Sequence, residues 1–216
     1  MAKEVKRTAI SISLFGEGGV GKTCIVGVFL GLDFQEEHLS TVGIEKNNSV
    51  IDLESGETVK LKIWDTAGQE RFRSISVNTL KNSQAAIVVF DLTNKESFQR
   101  VTDWLNQIRG YSSKLPIGLF GNKSDLDHRI ITQEEIDTLC EKENLVYFET
   151  SAKTNTNITE GFVKVATLGY KAFENEQIRK GEQLKLEINK NKTKKKKYGV
   201  NYGLTKMKEI LYLKKW

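Results

Sequence analysis

The sequence predicts an α/β fold with a six-stranded, mostly parallel β-sheet, one antiparallel hairpin strand and helices on both faces. From residue 8 to about residue 176, short apolar runs alternate with amphipathic segments of helical period. This order is typical of a parallel sheet whose strands are joined by helices. Residues 54–57, which read E-S-G-E, separate the second and third apolar runs without a helix between them. Such a short turn predicts that this one pair of strands is antiparallel.

The individual elements are predicted from the spacing of their apolar residues. In the first strand, Ile10, Ile12 and Leu14 alternate with serines, so one face of the strand is expected to lie in the core. The predicted strands are residues 9–15, 45–53, 59–64, 85–90, 117–120 and 145–148. Two helical faces are predicted, one formed by Phe98, Val101, Leu105 and Ile108, the other by Ile158, Phe162, Val165, Gly169 and Phe173. Capped helix starts are predicted at Thr93 with Glu96 and at Thr132 with Glu135.

Length and composition indicate one globular domain with some additional chain. There are 216 residues, 38% of them apolar, which is enough to bury a sizeable core. Only two cysteines are present, Cys24 and Cys140, and no signal peptide is recognised. We therefore expect a reducing, cytosolic setting without a disulfide framework. No run reaches the roughly 18 apolar residues expected of a membrane-spanning helix.

Charge is distributed unevenly along the chain. The whole sequence has 33 Lys and Arg against 28 Asp and Glu, and residues 176–216 hold 13 of the basic residues but only 4 Glu. Residues 1–175 therefore carry a net charge near −4, whereas the tail carries a charge near +9. This division predicts a slightly acidic domain, residues 1–175, followed by a basic, flexible C-terminal tail, residues 176–216.

The motif at residues 16–23 predicts a phosphate-binding loop. It reads G-E-G-G-V-G-K-T and lies between the first strand and a helical segment. Glycines let successive backbone N–H groups turn towards an anion, and the helix adds the positive end of its dipole. Lys22 would reach the outer phosphates and the Thr23 hydroxyl would bind Mg²⁺, although the motif alone could also be a Gly-rich turn. The predicted phosphate site comprises Gly16, Glu17, Gly18, Gly19, Val20, Gly21, Lys22, Thr23 and Cys24.

Polar residues after the third strand extend this predicted site. Asp65 stands at the end of that strand, placed to hold Mg²⁺ through water, although an isolated Asp at a strand end commonly caps a helix. In the following turn, Gly68 offers a backbone N–H that a γ-phosphate can approach without meeting a Cβ, and Gln69 can orient an attacking water. Phosphoryl transfer depends mainly on this kind of positioning and charge stabilisation.

Two further polar motifs predict a guanine site. G-N-K-S-D follows the fifth strand and E-T-S-A-K follows the sixth. The carboxylate of Asp125 can accept both the ring N–H and the exocyclic amino group of guanine, a donor pair that adenine lacks. Asn122 would hold the neighbouring loops, Lys123 would stack along the base, and the Ala152 N–H would donate to the guanine carbonyl. The predicted base site comprises Asn122, Lys123, Asp125, Ser151, Ala152 and Lys153.

The four motifs GEGGVGKT, WDTAGQE, GNKSD and ETSAK, in this order and spacing, resemble those of the Ras superfamily of small GTPases over about residues 8–175. Within it, KLKIWDTAGQERFRSI and DLTNKESFQRVTDWLNQI are most similar to the Rab branch, whose members regulate vesicle traffic. The resemblance implies a P-loop NTPase G domain that binds GTP or GDP with Mg²⁺. By resemblance, Thr41 binds Mg²⁺ and senses the γ-phosphate, and Phe34 packs against the nucleoside. Residues 33–45 and 66–80 would be switch regions, ordered with GTP and released after hydrolysis.

The resemblance also implies site roles and partners. The implied catalytic residues are Gln69, Lys22 and Thr41, and the implied Mg²⁺ ligands are Thr23, Thr41 and Asp65. We expect a monomeric molecular switch that hydrolyses GTP to GDP in vesicle-mediated transport, cytoplasmic or peripheral on the cytosolic face of an endomembrane. An exchange factor, effectors and a GTPase-activating protein that supplies an arginine would bind the switches. The alternatives are a guanine-nucleotide-dependent binding module with negligible turnover, and a Ras-like signalling or Ran-like nuclear GTPase.

Two features depart from the Rab pattern. Where Rab proteins present an aromatic triad to effectors, this chain has Lys46, Trp64 and Thr79. The chain also ends L-K-K-W, without the terminal cysteines that receive prenyl groups. The basic run 190–197 is expected to be a solvated extension, a weak contact for anionic membrane or a nuclear-import signal. Nucleic-acid binding is not expected, because the run lacks interleaved aromatic residues.

Overall fold

The computed structural model of the protein describes residues 8–36, 41, 43–66 and 78–198, with side chains described up to residue 188. These residues form a six-stranded sheet whose spatial order is β2-β3-β1-β4-β5-β6. The strands are β1 (Ala9–Phe15), β2 (Ile44–Asp52), β3 (Thr58–Thr66), β4 (Ala85–Asp91), β5 (Ile117–Asn122) and β6 (Val146–Glu149). All neighbouring pairs are parallel except β2 and β3, which form an antiparallel hairpin. The predicted α/β fold is confirmed.

Strand pairing explains why several strands are longer than their apolar runs. In the hairpin, Ile44 lies opposite Thr66 and Asp52 lies opposite Thr58, so the ladder holds polar residues at both ends. β5 extends to Asn122 because that residue pairs with Asp91 of β4. The polar residues predicted to follow these strands therefore begin inside the sheet, which gives them a fixed position.

Five α-helices and one short 3₁₀ helix are present in the described part of the chain. The α-helices are α1 (Lys22–Phe29), α2 (Lys95–Gln99), α3 (Val101–Tyr111), α4 (Gln133–Glu143) and α5 (Ile158–Tyr198), and the 3₁₀ helix is Thr79–Asn82. Strand β4 shows that the helices cover both faces of the sheet. Its Ile87 and Val89 pack in a core with residues of α1 and α5. Its Val88 and Phe90 pack in a second core with residues of α3 and α4.

The predicted helix starts are confirmed in one case and wrong in the other. At α4, Thr132 and Glu135 form a reciprocal capping box, with each side chain bonded to the backbone N–H of the other residue. At α2, the cap is Asn94, whose side chain accepts from the Ser97 N–H. Thr93 does not cap this helix because its hydroxyl donates instead to Asp91 Oδ1 at 2.7 Å. The apolar face predicted over residues 98–108 is divided between α2 and α3.

The last helix, α5, is 41 residues long and continues through the predicted boundary at residue 175. Its first turns pack closely on the sheet, where Gly161 lies against the ring of Phe120. Further along, Ile178 and Leu186 are exposed. The division into a domain and a flexible tail stays a prediction, since the residues that follow Tyr198 lie outside the described part of the chain. Among the described residues, none of the helices is long and apolar enough to cross a membrane.

Candidate functional site

A cleft of about 420 Å³ opens beyond the carboxyl ends of the parallel strands, where ligands bind in sheets of this kind. Its walls come from the loop before α1, the segment after α1, and the two polar loops after β5 and β6. The lining residues are Gly18, Gly19, Gly21, Lys22, Thr23, Cys24, Phe34, Gln35, Glu36, Thr41, Thr66, Asn122, Lys123, Asp125, Leu126, Ala152 and Lys153. Most of the predicted site residues are therefore gathered around one cavity.

The loop between β1 and α1 needs glycine for two physical reasons. Gly16 and Gly21 both have positive φ angles, +138° and +95°, which side chains rarely adopt. Both also lie against other parts of the protein. A Cβ on Gly16 would stand 2.2 Å from the backbone oxygen of Val89, and one on Gly21 would stand 2.4 Å from Asn122 Nδ2. The loop is thus wrapped tightly against β4 and β5.

Lys22 is a buried cation at the centre of this loop. Its ammonium donates to the backbone oxygens of Gly16 at 2.9 Å and Glu17 at 2.8 Å, and the residue is only 5% exposed. Burial lowers the pKa of Lys22 to about 8, although the carboxylates of Asp65 and Glu17 act to raise it. An anionic ligand in the cleft would offset this cost of burial, because it supplies the negative charge that solvent no longer provides.

Three oxygen-bearing side chains meet beside Lys22. The hydroxyl of Thr23 donates to Asp65 Oδ2 at 2.6 Å and lies 2.7 Å from the hydroxyl of Thr41. Asp65 is fully buried. Hydroxyl and carboxylate oxygens are the hard donors that Mg²⁺ prefers, completed in such sites by water and phosphate. The residues therefore fit the predicted Mg²⁺ site, and they bring together three segments far apart in the sequence.

The polar loops at the other end of the cleft are tied to the glycine loop by Asn122. Its Nδ2 donates to the backbone oxygen of Val20 at 2.8 Å, and its Oδ1 accepts from the Ala152 N–H at 3.3 Å. The same oxygen accepts from the Thr150 hydroxyl at 3.4 Å. One buried side chain thus connects all three loops.

The charged side chains at this end are also held in place. Ser151 donates to Asp125 Oδ1 at 2.5 Å, which leaves Oδ2 and a second acceptor site on Oδ1 for other donors. Lys123 has a left-handed φ of +67° and its ammonium pairs with Asp91 Oδ2 at 2.7 Å. Burial raises the pKa of Asp91, but hydrogen bonds from Lys123 and Thr93 outweigh it and leave that pKa below its usual value.

Several predicted residues lie away from the cleft surface or outside the described chain. Asp65 lines a second cleft, of about 380 Å³, that shares Thr23, Cys24, Phe34 and Gln35 with the first. Burial raises the pKa of the Cys24 thiol, and the side chain packs against the core. Gly68 and Gln69, and most of the predicted switch regions, lie outside the described residues. Gly16, Glu17, Val20 and Ser151 contribute through their hydrogen bonds or packing and are not among the lining residues.

Sequence reasoning missed three residues that support the site. Asp91 anchors Lys123, Glu36 pairs with Lys153 at 3.0 Å, and Trp104 donates to the carboxylate of Glu17 at 3.1 Å. Asp91 could have been predicted from the sequence, because it is an acidic residue at the carboxyl end of β4, just as Asp65 is near the end of β3. No local pattern indicated the other two, because their partners are distant in the sequence.

A tight glycine loop between a strand and a helix, a buried lysine within it and a hydroxyl and carboxylate cluster beside it define a P-loop nucleotide-binding domain. The sheet, with its single antiparallel hairpin, is that of a Ras-type GTPase domain. The family model described as Ras family matches residues 11–171, and the chain belongs to the Ras family. It is a small GTP-binding switch protein of the kind that regulators and effectors control.

Proposed function

We propose that this protein hydrolyses GTP to GDP and phosphate as a Mg²⁺-dependent switch, and that it acts in vesicle-mediated transport as a Rab-type protein. The observation that carries the proposal is the meeting of Thr23, Thr41 and Asp65 beside the ammonium of Lys22. Thr41 belongs to the segment before β2, the predicted first switch. A switch that contacts the phosphate site directly can respond to the presence of a γ-phosphate.

The chain's own residues account for phosphate binding. Gly18, Gly19 and Gly21 of the loop before α1 line the cleft; a loop of this kind at a helix start offers backbone N–H groups to phosphate, and Lys22 adds positive charge. Mg²⁺, when bound, would neutralise phosphate charge, with Thr23, Thr41 and Asp65 as its protein ligands. The resemblance assigns Gln69 the positioning of the attacking water. Since no arginine of the described cleft faces this region, we expect an activating protein to supply one.

The base end of the cleft supports a preference for guanine. Asp125 is oriented by Ser151, and its carboxylate can accept both N–H groups on the guanine edge. Ala152, Lys123, Lys153 and Phe34 line the same cleft. An adenine base would leave the carboxylate without its donors, which costs more than an ordinary loss of packing.

The proposal is tested by single-turnover hydrolysis with the purified full chain. GTP and ATP are compared with and without Mg²⁺, beside the Gln69→Leu variant. We expect slow, Mg²⁺-dependent turnover of GTP alone, and its loss in the variant. If GTP binds but the wild type and Gln69→Leu are equally inert, the chain is a nucleotide-dependent binding module instead.

The Rab assignment rests on sequence similarity over the second switch and the following helix. One observation favours the alternative of a Ras-like or Ran-like protein. Of the three positions of the Rab aromatic triad, Lys46 lies over the ring of Trp64 at 5.3 Å, and Thr79 is buried. An effector that needs three exposed aromatic rings would not find them here. Binding of this chain in its GTP state to Rab, Ras and Ran effector panels distinguishes the three branches.

We further propose that the protein is a cytoplasmic monomer that associates weakly with the cytosolic face of an endomembrane. Six lysines fall between residues 190 and 197, within the last turns of helix α5. Each basic residue near an anionic membrane contributes about 1 kcal/mol of attraction. Co-sedimentation with acidic liposomes should therefore be strong at low salt and lost at high salt. Equal, weak sedimentation with acidic and neutral liposomes would contradict the membrane contact.

A further inference from the structure

The two walls of the cleft differ in how firmly they are held. On one side, the loop after β6 is fixed by Ser151, which bonds to Asp125 and pairs with Thr156 in both directions, and by the Ala152 N–H on Asn122. On the other side, the segment 33–36 follows the turn after α1. Within the described part of the chain, its residues make no backbone hydrogen bonds to one another or to neighbouring elements.

A single ion pair joins these two walls among the described residues. The ammonium of Lys153 lies 3.0 Å from Glu36 Oε1, across 117 residues of sequence. Both residues line the cleft, as do Phe34 and Gln35 of the same segment as Glu36. The hydrogen bond from Lys153 to Glu36 also raises the pKa of Lys153, so the lysine stays charged over the whole physiological range.

We propose that Glu36 and Lys153 form an ionic clasp that holds the segment 33–36 across the cleft and slows the release of the bound guanine nucleotide. The inference deepens the proposed function, since it requires a nucleotide in this cleft. The pair bridges the two walls, so we expect a nucleotide that lies between them to leave more easily once the pair is broken. The clasp makes Glu36 a positioning residue: it acts through Lys153 and the segment, not on the phosphates.

The expected change in the rate of nucleotide release follows from the exposed fractions of the two side chains, which are 51% for Lys153 and 75% for Glu36. Exposed pairs are screened by water, so neutralising one partner should change a rate by about two- to fivefold. Reversing one charge replaces attraction with repulsion, and we expect about a three- to tenfold faster release. Salt should reduce both effects, since the pair is open to solvent.

The test measures the release of a fluorescent GDP derivative from the full-length protein, in the presence of Mg²⁺, after addition of excess GDP. Glu36→Lys should release it faster than the wild type. In a Lys153→Glu background, the same Glu36→Lys change should slow release, because it restores an opposite pair. Because both proteins in this second comparison carry Lys153→Glu, any other effect of that substitution on the base site cancels from the change in release rate. Asp33→Lys, an equal change of charge on the same segment, is the matched control and should leave the rate within about twofold.

Three outcomes would overturn the clasp. Glu36→Lys accelerating release equally in both backgrounds would show that the two side chains act independently. An equal effect of Asp33→Lys would show that only the net charge of the segment matters. If the wild type does not retain the fluorescent GDP at all, the proposed nucleotide function itself fails, and the clasp fails with it; the first two outcomes leave that function intact.

Discussion

The indole N–H of Trp104 donates a hydrogen bond of 3.1 Å to the carboxylate of Glu17, which joins helix α3 to the glycine loop. Trp104 is almost fully buried, and its ring packs against Phe15 at the end of β1 with a centroid distance of 5.8 Å. The backbone oxygen of Glu17 in turn accepts from the Lys22 ammonium. Helix α3, which packs on the face of the sheet opposite to α1, therefore holds the loop that surrounds Lys22.

Removing this hydrogen bond should destabilise the protein and loosen the loop. Glu17→Met keeps the length of the side chain but removes the carboxylate that accepts from the Trp104 indole N–H, and loss of such a hydrogen bond should cost about 1–3 kcal/mol of unfolding free energy. Glu17→Gln retains an acceptor and should have a much smaller effect. Urea unfolding followed by tryptophan fluorescence measures both. If the two variants are equally destabilised, the loss of charge matters and the hydrogen bond does not.

The pKa of Lys22 predicts how stability depends on pH in the absence of nucleotide. It is lowered from 10.5 to about 8 in the folded protein, so between these values the unfolded chain binds more protons and stability rises with pH. Compared with Lys22→Met, the wild type should gain about 2 kcal/mol of unfolding free energy between about pH 7 and pH 9.5.

The measurement is urea unfolding of both nucleotide-free proteins across this pH range. Other groups titrate in the wild type and in Lys22→Met alike, so only the difference between the two proteins is compared. A constant difference would mean that Lys22 keeps its ordinary pKa in the folded state. Nucleotide affinity should move in the opposite direction, falling as pH rises through about 8, because neutral Lys22 no longer attracts phosphate.

Asp125 should determine the choice of base. Inosine triphosphate lacks the exocyclic amino group of guanine, so the wild type should bind GTP more tightly by about tenfold or more. Asp125→Ala should weaken GTP binding and remove most of this discrimination. Asp127→Ala, which removes a neighbouring exposed carboxylate, is the control and should leave the preference unchanged. Competition against a fluorescent GDP derivative measures the ratio, and an unchanged ratio in Asp125→Ala would contradict the assignment.

Two glycines of α5 should respond to alanine in opposite ways. A Cβ on Gly161 would lie 2.5 Å from the ring of Phe120, which is fully buried. The overpacking should cost about 1–3 kcal/mol of unfolding free energy and exceed the gain in helix propensity. At Gly181 nothing lies within 4 Å, so alanine there should stabilise the helix by up to about 1 kcal/mol.

Circular dichroism during urea unfolding compares the two variants. A lower midpoint for Gly161→Ala and an equal or higher one for Gly181→Ala is the expected result. Equal midpoints for both would show that the contact between α5 and β5 is able to relax around an added methyl group.

Local patterns were sufficient for the elements and for much of the site. The alternation in β1 and the turn at residues 54–57 determine a strand and a hairpin from neighbouring residues alone, and the capping box at Thr132 requires only four residues. The start of α2 shows the limit of this reasoning. Thr93 and Asn94 are both suitable capping residues. Asn94 caps the helix because the Thr93 hydroxyl donates a hydrogen bond to Asp91 instead.

By itself, the sequence determined the fold class and the residues of the phosphate and base motifs, because these depend on short-range periodicity and on backbone geometry that only glycine allows. The tertiary structure alone decided the partnerships of Asn122 with Val20, Trp104 with Glu17, and Lys153 with Glu36. Each joins residues that are about 90 to 120 positions apart, and such pairs form only where the order of strands brings distant loops and helices together at one edge of the sheet.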